Sequence, residues 1–75
     1  MIVYLEKVNA ERGMLRFYRV TIAPSLFGGW VLVREWGRIG CGSGQRMEEW
    51  FAMQASAAAA LERLVAAKRR KGYAG

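Results

Sequence analysis

Histidine and aspartate are missing from this 75-residue chain altogether, and cysteine and proline occur once each, as Cys41 and Pro24. Without histidine there is no Ser-His or Cys-His pair for nucleophilic catalysis. With one cysteine, neither an internal disulfide nor a zinc site of the Cys/His type can be assembled. Cys41 has no histidine to activate it and reads as a tolerated small residue rather than a nucleophile. The acids are six glutamates, which form no acid/base constellation. The expectation is a non-enzymatic protein with no cofactor and no metal. Long apolar runs are lacking too: the uncharged stretch 20–33 is interrupted by Pro24, Gly28 and Gly29 and is too short to span a membrane. The N-terminal residues meet Glu6 and Lys7 before an apolar leader can form. The expected setting is a reducing cytoplasm, with no membrane partner.

What the chain does have is apolar and basic residues. A hydrophobic fraction of 53%, with three each of Trp, Tyr and Phe, is enough for a folded unit rather than a disordered tail. The length allows one domain, 1–75, with a thin core. Twelve Lys and Arg against six Glu give a net charge of +6, which favours polyanionic partners. A solubility excess would give the same count.

Four stretches read as strands. Residues 2–8 alternate loosely, and 9–13 supply polar residues and a glycine for a hairpin turn. Residues 15–23 carry Phe17, Tyr18, Val20 and Ile22. Residues 30–36, rich in Val and Trp, suit a pleated surface, and a fourth strand over 45–51 follows a glycine-rich turn. From 54 to 71 the period becomes helical, with Ala57, Ala60, Leu61, Leu64 and Val65 on one stripe. Ser56 is a candidate cap for a shorter helix, with Met53 or Gln54 as the alternative boundary. Gly72 ends the helix after Lys68, Arg69, Arg70 and Lys71, which suit the negative end of its dipole. The fold class is therefore α+β: a single antiparallel sheet of four to five strands with one C-terminal helix on one face. The opposite face, or the rim, is left as the surface for a ligand.

The most informative motif is Trp36-Gly37-Arg38, where the third strand runs into Gly40, Gly42 and Gly44. It sets a flat aromatic surface and a fork of fixed charge beside a residue that lets backbone approach a ligand. Strand parity puts Arg34, Trp36 and Arg38 on one side and Val31 and Val33 on the other; Trp30 and Leu32 share the motif's parity, so that side is partly buried as well. Two readings of Trp36 stay open, a core residue or a stacking surface. Arg38 either binds phosphate or pairs with Glu35 or Glu49. The 37–44 turn lacks the endings of an ATP or dinucleotide loop. Arg16, Arg34 and Arg46 are candidates for a basic patch around the motif, with Glu48 and Glu49 expected away from it. The 68–71 run reads better as a solvated helix end than as a second phosphate patch.

Phe17-Tyr18, Leu26-Phe27-Gly28-Gly29-Trp30, Trp36-Gly37-Arg38-Ile39-Gly40, Gly44-Gln45, Ala60, Lys68 and Lys71-Gly72-Tyr73 together resemble a WGR domain. That family occurs as small stand-alone bacterial proteins and within eukaryotic poly(ADP-ribose) polymerases, where the domain helps engage DNA strand breaks. The resemblance implies that Trp36 packs against a terminal nucleotide, that Arg38 makes polar contacts at the break or with neighbouring domains, and that Gly37 keeps the backbone slim between them. The transferase domain, zinc fingers and helical regulatory region of the polymerases are not in this sequence.

These observations lead to a monomeric, sequence-independent binder of DNA ends or nicks, nucleoid-associated if DNA-bound, with Trp36, Gly37, Arg38, Arg34, Arg46 and Arg16 as its contact residues. Other proteins of a DNA-processing pathway are possible partners. The alternative is a protein–protein interaction module that uses the Trp36 surface.

Overall fold

The computed structural model describes residues 1–42 and 44–75. Four strands, β1 (Ile2–Asn9), β2 (Met14–Pro24), β3 (Trp30–Arg38) and β4 (Gly44–Phe51), form an antiparallel sheet in sequence order, and one helix, α1 (Gln54–Arg70), follows. The α+β class read from the sequence holds. Strand β3 continues two residues past Trp36 to Arg38, so the whole motif lies on extended backbone paired with β2.

The β1–β2 hairpin closes through a single 3-10 turn, Ala10–Arg12. Asn9 caps it by accepting from the Arg12 amide, and Gly13 leaves it in the left-handed region at φ 63°. In register, Leu5 faces Tyr18 and Tyr18 faces Trp36. Directly opposed residues share a face, so these three side chains form one row across the sheet. The next row toward the hairpin end is Lys7, Arg16 and Arg38.

Helix α1 covers this same face. Its stripe Ala57, Ala60 and Leu61 is buried against Leu5, Tyr18, Val20, Ile22 and Leu32, with Leu64 and Val65 beside it. Alanines at the contact let the helix approach closely. Met53 is the N-cap and its side chain makes no capping bond, so Ser56 lies inside the first turn rather than at the boundary. At the other end the Gly72 amide donates to the Arg69 carbonyl and the Tyr73 amide to the Lys68 carbonyl, a Schellman motif with Gly72 at φ 98°. The tail then turns onto the free edge of β1, where Glu6 and Ala74 exchange both backbone hydrogen bonds, at 2.8 and 2.9 Å.

Candidate functional site

The helix is shorter than the sheet is long, and its C-terminal turn stops above Tyr18. Beyond it, on the helix-bearing face, lies a cleft of about 540 Å³ lined by Arg12, Arg16, Trp36, Gly37, Arg38, Lys68 and Tyr73, with Gly13, Met14 and Leu15 at the hairpin side. Of the two surfaces expected from sequence, the opposite face or the rim, the cleft lies at the rim, at the end of the covered face. The reason lies in the register: Trp36 and Arg38 share their parity with Leu32, which the helix buries.

Trp36 is half-buried, so the two readings of it are both partly met. Its ring leans on Tyr18 at 6.5 Å and 32°, and the Arg34 guanidinium sits 5.8 Å from its centroid. The indole also borders the cleft and an adjoining recess of about 270 Å³ shared with Gly37, Gly44 and Gln45. It is a core residue that presents part of its ring to solvent. Arg38 is exposed, and among the described residues it forms no ion pair; Glu35, one of its candidate partners, is bound to Arg19 at 2.9 Å.

Among the other sequence candidates, Arg16 stands beside Arg38 in the row and lines the cleft. Arg34 shares the face but not the cleft; it holds the indole from one side and donates to the Met47 sulfur. Arg46 points to the opposite face, where it pairs with Glu48 at 3.4 Å, and it does not join the others. Gly37 lies on extended backbone across from Phe17, and the place of its missing side chain faces away from Trp36 and Arg38. On that far face a side chain at neighbouring Gly44 would come within 3.7 Å of the Phe17 ring and 2.8 Å of the Trp36 carbonyl oxygen. Glu48 lies on the opposite face, as expected, but Glu49 does not: it stands across from Leu32 on the helix-bearing face, near Arg34, because its strand parity matches that of the motif; neither lines the cleft.

Sequence reasoning missed Arg12, Lys68 and Tyr73. Lys68, read as part of a solvated helix end, continues the inward stripe one turn past Leu64; that spacing was the signal available. Its ammonium lies 4.9 Å from the Tyr18 ring centroid and 5.3 Å from that of Tyr73. Partial burial lowers the Lys68 pKa below its usual 10.5, and the positive charges of Lys71, Arg34 and Arg16 add to the effect. The cleft is thus a region of positive potential with no carboxylate in its lining. Beneath it the Tyr18 hydroxyl is buried and hydrogen-bonds to none of the described residues. Burial raises its pKa, and nearby Arg34 acts in the other direction.

Among the described residues no three His, Cys, Asp or Glu side chains gather as metal ligands, and no helix is long and apolar enough to cross a membrane. The arrangement offers a partly exposed indole, two guanidinium forks from neighbouring strands, a third from the hairpin turn and an ammonium from the helix. Chemically it can hold a phosphate and stack on the group attached to it.

A family model described as WGR domain matches residues 1–75. An uncharacterized protein of Sinorhizobium fredii, y4dW, is 39% identical over 71 residues, covering 95% of this chain and 34% of the relative. The chain therefore spans about a third of the length of that relative. No solved structure matches it.

Proposed function

Because the chain belongs to the WGR domain family, whose members are in general nucleic-acid-binding modules, we propose that it binds DNA without base-sequence preference and favours ends or nicks that carry a terminal phosphate. The observation that carries this reading is the convergence of Arg12, Arg16, Arg38 and Lys68 with Trp36 around one cleft free of carboxylates. Arg38 and Arg16 take the phosphate oxygens, Lys68 and Arg12 add charge from above and from the hairpin side, and the open part of the indole stacks on the terminal sugar or base. A cleft closed on one side by the helix end suits a strand terminus better than a continuous duplex backbone, which has to pass through. No step of this requires bond chemistry, in keeping with a binding module rather than an enzyme.

The test is competition with purified protein among duplexes with 5′-phosphorylated ends, the same duplexes without the phosphate, and closed circular DNA. The expected order of affinity is as given. Equal affinity for all three removes the preference for ends and leaves a general electrostatic binder. No measurable binding to any of them favours the alternative, a protein-docking use of the Trp36 surface.

A further inference from the structure

The end of the molecule opposite the basic cleft carries a second recognition surface. Leu26 and Phe27, the corner residues of the turn between β2 and β3, are 96% and 98% exposed. They are not loosely held. Gly28 donates to the Ser25 carbonyl, the Ser25 amide to the Gly29 carbonyl, and the Phe27 amide to the Ser25 hydroxyl. From β4 the Trp50 indole donates to the Gly28 carbonyl at 2.9 Å, and its ring occupies the place where a side chain at Gly29 would stand, 2.5 Å away. Two large apolar side chains fixed in water incur a solvation cost that nothing in the chain's own fold recovers.

Beside this turn lies a cavity of about 450 Å³ lined by Met1, Ile22, Pro24, Trp30, Ala55 and Ala58 and by one polar side chain, Gln54. It has no charged side chain, and the surrounding stretches 20–33 and 50–61 have none either. A membrane surface would call for lysines or arginines next to the apolar loop to meet anionic headgroups, and nucleic acid would call for them to meet phosphates. This end has no lysine or arginine, and its one charge, the Met1 ammonium, already donates to the Ile22 carbonyl at 3.4 Å, so the matching partner is apolar.

We propose that this partner is a second copy of the chain, with Leu26 and Phe27 of each protomer seated in the Met1/Ile22/Trp30/Ala58 cavity of the other. The plug and its socket share the same turn, since Pro24 and Trp30 flank it, and a two-fold axis can therefore satisfy both contacts at once. The two plugs and the socket walls they cover amount to on the order of 1,000 Å², the lower limit for a specific interface. This assembly departs from the monomer expected from sequence. It is independent of the nucleic-acid reading, whose residues lie at the other end of the sheet.

Sedimentation equilibrium of the full chain tests it. The wild type is expected to pass from 8.4 kDa to twice that mass as concentration rises through the micromolar range. Phe27→Ser removes the plug and Ala55→Glu blocks the socket from an exposed helix position. Each is expected to weaken association by at least about 30-fold, the threshold of an interface hot spot, with unchanged circular dichroism. A wild type that stays monomeric throughout the micromolar range overturns the proposal. So does a dimer that survives both substitutions, or one that Phe27→Ser alone dissociates, since the socket is then elsewhere.

Discussion

Trp36 and Arg38 are neighbours in the motif, yet their side chains do different work. Arg38 is exposed and unpaired with any described carboxylate, so Arg38→Ala should change the unfolding free energy by no more than an ordinary surface substitution, about 0.5 kcal/mol. Loss of a charge-assisted contact to phosphate should weaken DNA-end binding by roughly 10- to 150-fold, measurable by fluorescence anisotropy. Trp36→Ala is different, because the ring also packs against the core. It should lower stability by about 2 kcal/mol as well as binding, while Trp36→Phe should recover most of the stability. Unfolding of the Arg38→Ala protein would make that residue architectural. Lys68 supplies a pH test. Its folded-state pKa lies below the unfolded one, so the charged form is penalised at neutral pH and stability increases as pH rises from the folded pKa toward the unfolded value. A bound phosphate reverses the effect, and binding in that alkaline window should take up protons, as seen by titration calorimetry in buffers of different ionisation enthalpy. Lys68→Met should abolish the uptake.

At the scale of elements, the cleft depends on how α1 ends. The Schellman turn at Gly72 sets Tyr73 under Lys68 and directs the tail along β1. Because Gly72 stands at φ 98°, Gly72→Ala should cost about 1 kcal/mol. It should also increase hydrogen exchange at the Glu6 and Ala74 amides, which bond across to each other's strand, before the sheet centre responds. If these two amides stay protected, the tail is held by something other than this turn. The sheet contributes through register: pairing Arg16 with Arg38 and Tyr18 with Trp36 places two cations at the open end and two rings beneath the helix. A slip of β3 by one residue against β2 would put Trp36 and Arg38 on the other face, away from Tyr18 and Arg16.

For the whole molecule, charge and apolar surface are segregated along an axis of 45 Å. The hairpin and helix ends bring Arg12, Arg16, Arg38 and Lys68 together, while the β2–β3 turn and the start of α1 carry no charged side chain. If the basic end neutralises about three phosphates, log affinity should fall against log salt with a slope near −2.7, about 40-fold weaker between 50 and 200 mM. Lys68→Met should reduce the slope by about 0.9. A flat salt response would rule out phosphate contacts as the source of affinity.

The chain's own residues determined the architecture. Period-two runs broken by Gly and Pro define the strands, and the alanine-rich stripe closed by Gly72 defines the helix, because these are local preferences of backbone and side chain. Trp36 and Arg38 were legible for the same reason, as was their shared face. Tertiary structure alone decided which cations join them. Arg16 and Arg46 look alike in sequence, but strand parity sends one into the cleft and the other to the far face. Lys68 and Arg12 arrive only because a helix end and a hairpin turn, distant along the chain, converge on one end of the sheet. That convergence depends on helix length against strand length and on the angle at which α1 crosses the sheet. Both follow from side-chain packing among residues far apart in sequence, which no local pattern encodes.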